Sequence, residues 1–350
     1  MLKSIKYFSV IILLSQIQCS DPTGPPPPVK PVKDPRTYTW TTDTLQWGTS
    51  QTILRRIWGS SASDVYFGGH SSGSSGGLWH YDGKDFSVVT LPEIRSPDAN
   101  AIYGFVSNDI WAVGSKWYHN TNTGKFTDSS FICHYNGALW QQYEIVGGGY
   151  LLAVWGGSPT DVWAGGFNTL LHFDGVEWKK FPFYLPPQDI QMLSIAGLSI
   201  NDVYMIGGRN DFVQPIDTSF YYMYHYNGSQ WSVIDSTYST SSGFSIHFGS
   251  TLKEIGGNMY SARYKLFKKE GSSWTIINDD SRLLSIGGSN ENNIFAGGSN
   301  GVVYHYNGTD WQEITVSEGL TDAIYDIWTD GTEAFMVSND GYRTFVMHGK

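Results

Sequence analysis

The chain has 350 residues with 40 Gly, and its 15% aromatic residues match its 15% charged residues, a turn-dense and aromatic-rich composition that leaves little room for long helices. Lys plus Arg total 22 against 32 Asp plus Glu, and the resulting net charge of -10 argues against nucleic acid or an anionic membrane surface as a partner.

The N-terminus reads as a targeting segment. Lys3 and Lys6 form a charged region, Tyr7 to Leu14 an apolar core too short to span a bilayer, and Cys19 follows closely. Over residues 1–19 this layout resembles a bacterial lipoprotein signal, although Gln16-Ile17-Gln18 stands where a small residue normally precedes the Cys. The resemblance implies lipidation of Cys19, attachment to the cell envelope through that anchor only, and otherwise export to the periplasm or the medium. Residues 20–35 include Pro25-Pro26-Pro27-Pro28 and read as an extended polyproline spacer. Residues 36–350 are left for the folded domain, in which Cys133 is expected as a buried small hydrophobe and no disulfide framework is possible.

Within that domain one turn pattern recurs. It appears as Asp82-Gly83, Asn136-Gly137, Asp174-Gly175, Asn227-Gly228, Glu270-Gly271 and Asn307-Gly308, each Gly followed three places later by an aromatic residue. Asn-Gly and Asp-Gly suit a two-residue type I′ turn, so each copy is expected to join two antiparallel strands. Upstream stand Asp64-Val65-Tyr66, Asp109-Ile110-Trp111, Asp161-Val162-Trp163, Asp202-Val203-Tyr204 and Asn293-Ile294-Phe295, read as strand starts. A Gly five residues before each, as in Trp58-Gly59 and Trp155-Gly156, closes another apolar run.

One unit is therefore strand A, a tight turn, strand B, a variable connection, strand C, the Gly turn and strand D. From Gly83 to Gly308 it advances 225 residues in five steps, a mean of 45, the length of a propeller blade. The expected architecture is all-β: a seven-bladed β-propeller of four-stranded antiparallel blades. Blade 5 is degenerate, with Asn258-Met259-Tyr260 as its strand B and Lys268-Lys269 where other copies have His-Tyr or His-Phe. Blade 7 runs from Ile324 through Val337 and stops at Lys350 before any strand D, so Tyr38-Thr39-Trp40-Thr41 is expected to complete it and close the ring. The repeats resemble a class of bacterial exported propeller repeats of the form W-G-S-x-x-x-D-V-W-A-x-G followed by H-Y-D-G-x-x-W, and more loosely kelch repeats. That resemblance covers residues 38–350 and implies a non-enzymatic surface protein.

Candidate binding residues follow from which connections vary. The A–B and C–D turns are nearly constant, whereas the B–C connections and the D–A links on the other face differ widely. Residues 114–131 and 207–222 read as long loops carrying Trp117, Tyr118, Arg209, Asp211, Phe212 and Tyr222, and the link after blade 3 adds Tyr184. Exposed aromatics beside Arg and Asp suit a glycan, a peptide or a partner protein. The expected function is a non-catalytic, monomeric cell-surface binding scaffold. The alternatives are a propeller glycoside hydrolase or polysaccharide lyase, and a structural envelope lipoprotein.

The remaining motifs read as scaffold. His80, His134, His172, His225 and His305 recur at one strand C position, so symmetry sends them into separate interfaces rather than into a metal site. Asp64, Asp109, Asp161 and Asp202 read as turn caps on nearby amides. Gly69-His70-Ser71-Ser72-Gly73 has the spacing of a hydrolase nucleophile elbow but links two strands instead of a strand and a helix. No catalytic residue, metal or cofactor is assigned. A sialidase-like triad fails for lack of Arg, since only Arg55 or Arg56 and Arg282 lie beside strand A runs.

Overall fold

The computed structural model describes residues 33–350 apart from 121–124, 145–148, 184, 186–188, 214–215 and 241–242, and describes the backbone alone at 117–120, 125–128, 210–213, 216–217 and 243–245. Strand β1 (Trp40–Leu45) precedes the first blade, which comprises β2 (Thr52–Ser61), β3 (Asp64–Ser71), β4 (Leu78–Tyr81) and β5 (Phe86–Val88). Blade 2 is β6 (Pro97–Val106), β7 (Asp109–Asn120), β8 (Lys125–Tyr135) and β9 (Trp140–Tyr143); blade 3 is β10 (Leu151–Ser158), β11 (Asp161–Gly166), β12 (Thr169–Phe173) and β13 (Trp178–Lys180). Blade 4 gains a fifth strand: β14 (Gln191–Ser199), β15 (Asp202–Val213), β16 (Ile216–Tyr226), β17 (Trp231–Thr240) and β18 (Gly243–Ser245). Blade 5 is β19 (Thr251–Ile255), β20 (Asn258–Ala262), β21 (Leu266–Glu270) and β22 (Ser273–Asn278); blade 6 is β23 (Leu283–Asn290), β24 (Asn293–Gly298), β25 (Val303–Tyr306) and β26 (Trp311–Glu313). Blade 7 is β27 (Ile324–Thr329), β28 (Ala334–Asn339) and β29 (Thr344–Gly349), with β1 as its outer strand.

The ring closes as expected. β1 pairs antiparallel with β29 from Trp40↔Gly349 to Leu45↔Thr344, and Lys33 Nζ donates to the Lys350 carbonyl at 3.0 Å. Trp40 holds the position of the other strand D tryptophans, and it shares with Trp140, Trp178 and Trp231 an edge-on contact to the strand B aromatic of the preceding blade. The ring planes cross at 72° for Trp140 on Tyr66, 80° for Trp178 on Trp111, 86° for Trp231 on Trp163 and 87° for Trp40 on Phe295. Edge-to-face contact sets the positive ring edge on the negative face and adds about 0.5–1.5 kcal/mol to the burial.

The glycine near the end of strand A forms a second interlock between blades. A Cβ on Gly104 would lie 2.5 Å from the Trp58 ring, one on Gly156 2.4 Å from Phe105, and one on Gly197 2.5 Å from Trp155. Each covering ring belongs to the preceding blade, so the glycine is the socket into which its neighbour packs.

Two local expectations change. The Asn-Gly and Asp-Gly turns span four residues, with Tyr81 paired to Phe86, and only the Gly takes a positive φ, 93° at Gly83 and 88° at Gly137. The acidic or amide side chain makes this possible by capping the turn itself: Asp82 Oδ1 accepts from the amides of Lys84 and Asp85 at 2.9 and 2.8 Å. The stretches read as long loops at 114–131 and 207–222 are instead continuous strand pairs, from Gly114↔Phe131 to Asn120↔Lys125 in blade 2 and from Gly207↔Tyr222 to Val213↔Ile216 in blade 4. In blade 4 the pairing also takes in β17, from Thr218↔Thr240 to Tyr222↔Ser236, so Ser, Thr and Asn content that looks like loop stands on paired strands.

Candidate functional site

The recurrent polar residues prove to be scaffold. In four blades the strand B aspartate accepts from the strand C histidine: His80 Nε2 to Asp64, His134 to Asp109 and His225 to Asp202 all lie at 2.7 Å, and His172 to Asp161 at 3.3 Å. This corrects the reading of those aspartates as caps on backbone amides. Each imidazole also stacks on the strand B aromatic of its own blade, at 4.1 Å between His172 and Trp163 and 4.3 Å between His80 and Tyr66. Burial works to raise the Asp64 pKa, but hydrogen bonds from His80 and Ser60 outweigh it and hold the carboxyl below its usual value. In blade 6 an amide replaces the acid, and His305 Nε2 bonds Asn293 Oδ1 at 3.0 Å. Burial there, with Arg36 nearby, lowers the His305 pKa to about 4. Cys133 is buried, and burial pushes its thiol up to about 12, a structural cysteine without thiolate chemistry.

The axis is built differently. The A strands of successive blades pack on one another around it and line a cavity of about 280 Å³. Six of them carry a bulge near their start, and the first residue paired after it is Arg56 in blade 1 and Asp326 in blade 7. Asp326 Oδ2 accepts from the Ile57 amide at 3.0 Å, Oδ1 accepts from the Ile327 amide at 3.0 Å, and Lys253 Nζ of blade 5 stands 3.2 Å from Oδ1. Asp326 thereby latches blade 7 to blade 1, as Ser194 Oγ of blade 4 does by accepting from the Leu252 amide at 2.9 Å. Arg56 donates from Nη1 to the Arg55 carbonyl, and enclosure by the channel walls lowers its pKa despite Asp326. Trp58, Tyr103, Trp155 and Trp328 complete an aromatic wall. The second axial carboxylate, Glu254, accepts from the Gly257 amide at 2.6 Å, so both acids are engaged with backbone.

Of the arginines singled out in the sequence, Arg56 lines the axis while Arg282 is held by Asp280, Tyr304 and Glu313. Among the described residues no three His, Cys, Asp or Glu side chains converge in a group that could hold a metal.

The candidate binding residues lie on the paired extensions of blades 2 and 4. Trp117 pairs with Asp128 and Tyr118 with Thr127. Arg209 pairs with Phe220, Asp211 with Thr218 and Phe212 with Asp217. Tyr222 pairs with Gly207 and is half-buried, its ring 6.5 Å from that of Tyr224; Tyr184 lies outside the described residues. By the meander topology both ribbons leave the ring at the end where strand B turns into strand C. Blade 3 makes that connection in two residues, from Gly166 to Thr169.

The repeat logic missed one pair on that same end. His70 Nδ1 bonds Asp98 Oδ1 of blade 2 at 2.7 Å, whereas the repeated histidines bond through Nε2. The hydrogen bond that His70 donates to Asp98 raises the His70 pKa, and the Arg55 guanidinium lies nearby, 4.7 Å over the Tyr325 ring. His70 could have been noticed as the histidine that falls out of register with the others.

No family model and no curated relative matches the chain. Solved structures similar in fold include YCF48 bound to a D1 peptide (12% identity over 88% of this chain and 96% of that one, TM-score 0.57). Another is a catalytically inactive virginiamycin B lyase from Staphylococcus aureus with quinupristin (12%, 88% and 99%, TM-score 0.60). A third is the extracellular domain of a hybrid two-component system from B. thetaiotaomicron (16%, 88% and 39%, TM-score 0.59). At these identities the likeness carries the propeller fold.

Proposed function

We propose that this chain is an exported, non-catalytic binding scaffold that holds a peptide or a segment of a partner protein on the face carrying the B–C ribbons. One observation carries the reading: the strand pairs of blades 2 and 4 continue past the ring at the same end, to Asn120↔Lys125 and Val213↔Ile216, while the other blades turn back early. Extended ribbons add little to the stability of a closed ring, and loop ends on a rigid scaffold are where recognition residues sit. A propeller of similar fold bound to a peptide and an extracellular propeller domain support the same use of this architecture. A hydrolase or lyase has weaker support, because the axial carboxylates Asp326 and Glu254 serve the backbone and are not left as a free acid and base.

On this reading residues 1–19 export the chain, Cys19 anchors it to the envelope, and residues 20–35 hold the ring off the membrane. Binding centres on Trp117, Tyr118, Arg209, Asp211, Phe212 and Tyr222, with Tyr184 at the rim. Peptide and glycan arrays probed with the protein from Asp34 onward test it. Trp117→Ala, Tyr118→Ala and Phe212→Ala are expected to lose the peptide signal, and unchanged binding in all three removes the site. A glycan signal alone would redirect the ligand to a saccharide.

A further inference from the structure

We propose that the axial channel receives a carboxylate at its ribbon-side mouth, with Arg55 and Arg56 of blade 1 as the groups that bind it. A peptide terminus as the source of that carboxylate rests on the ribbon reading above; the site itself does not.

Two neighbouring bulges build the mouth. The extra residue is Arg55 in blade 1 and Tyr325 in blade 7, and the Arg55 guanidinium lies 4.7 Å over the Tyr325 ring. Tyr325 and Arg56 both line the channel. At the two positions held by Arg55 and Arg56, blades 2, 3 and 4 have Asn100-Ala101, Leu152-Ala153 and Leu193-Ser194. Adjacent cations therefore stand on one side of the mouth. One step deeper the strand A partners of the strand B aromatics form the next layer, with Trp58, Tyr103, Trp155 and Trp328 in blades 1, 2, 3 and 7 but only Ala196 and Gly287 in blades 4 and 6. The small residues leave room beside the aromatic half, in the cavity of about 280 Å³.

The acids around the channel are already engaged. Asp326 is buried, accepts from the Ile57 and Ile327 amides and stands 3.2 Å from Lys253 Nζ. Asp98 holds His70 Nδ1 at 2.7 Å. Glu254 is exposed, accepts from the Gly257 amide, and matches Gly59 by register, three residues or about 10 Å further along the strand than Arg56. Among the described residues neither arginine makes an ion pair: Arg55 has the Tyr325 ring, and Arg56 donates one bond to the Arg55 carbonyl. Burial, and after it the Arg55 charge, lower the Arg56 pKa against the pull of Asp326, and a bound anion would relieve both. Planar guanidinium groups take carboxylate oxygens in pairs, and the apolar walls beyond them suit a carboxylate better than a phosphate, whose further oxygens would go unpaired there. A free organic acid and the C-terminus of a peptide share that chemistry.

Calorimetric titration of the full-length chain with phenylacetate, acetyl-Gly-Phe and the neutral amide of each tests the site. At least one acid is expected to bind about tenfold tighter than its amide, the worth of one charge-assisted bond. Phenylacetate identifies a free acid, and acetyl-Gly-Phe alone a chain terminus. Arg55→Gln, a change at an exposed position, should lower the preference by itself, and the double change Arg55→Gln with Arg56→Gln should bring each acid level with its amide. Trp117→Ala with Phe212→Ala should leave the preference for phenylacetate as it is, so a failure of the ribbon reading leaves the channel result standing. Neither acid exceeding its amide overturns the proposal, as does a preference untouched by Arg55→Gln or by the double change, or a phenylacetate preference lost in the ribbon variant.

Discussion

Blade 3 and blade 5 are the same four-stranded unit built to different standards. Blade 3 buries Trp163 completely among rings on both sides of its seam and bridges His172 to Asp161. Its A strand is bulged where it meets the axis, whereas β19 of blade 5 pairs in unbroken register from Thr251↔Ala262 to Ile255↔Asn258. Blade 5 substitutes cation–π contacts for aromatic stacking and leaves a seam partly empty. A ring of seven tolerates one loose seam because each blade is held by two neighbours.

The largest expected difference between the two blades is in the seam itself. Trp163→Ala should cost about 3–5 kcal/mol, read as a lowered urea midpoint, because it removes a ring with four aromatic neighbours. Tyr260→Ala beside the open cavity should cost less, and an equal loss would mean the two seams are equally packed. Gly156→Ala drives a Cβ to 2.4 Å from Phe105 and should cost about 1–3 kcal/mol. Asp202→Ala unpairs His225 and should lose about 1–2 kcal/mol, whereas Asn258→Ala in blade 5 should change the urea midpoint little.

The smallest effect is a pH slope. His305 has its folded pKa lowered from 6.5 to about 4, so between those values the unfolded chain binds the proton and the folded chain does not. Stability should therefore fall as the pH drops from 6.5 toward 4, and His305→Gln should flatten that part of the curve. A slope unchanged in the variant assigns it to other groups, such as His348, which burial also lowers.

Much of this was legible in the sequence. The Gly turns, the Asp-aromatic strand starts and the strand A glycines recur at regular spacing because the blades solve one packing problem. Their truncation at Lys350 pointed to Trp40 as the closing strand. The degeneracy of blade 5 was also visible, in Lys268-Lys269. What stayed hidden depends on distances that the chain order does not encode. The His–Asp bridges join residues 11 to 25 apart across a connection of variable length. The axial group draws Arg56, Lys253 and Asp326 from blades 1, 5 and 7, and a bulge decides which strand A residue stands at that point. The ribbons of blades 2 and 4 were hidden for another reason: their Ser, Thr, Asn and Asp residues break the apolar alternation by which a strand is read from sequence.

On the proposed reading the closed ring supplies stability and the ribbons supply recognition. Its most direct test is array binding by a chain in which residues 116–129 and 209–220 are each replaced by a two-residue turn like the one at Phe167-Asn168. The expected result is a folded ring that has lost the peptide signal of the parent. A trimmed ring that binds as before would contradict it.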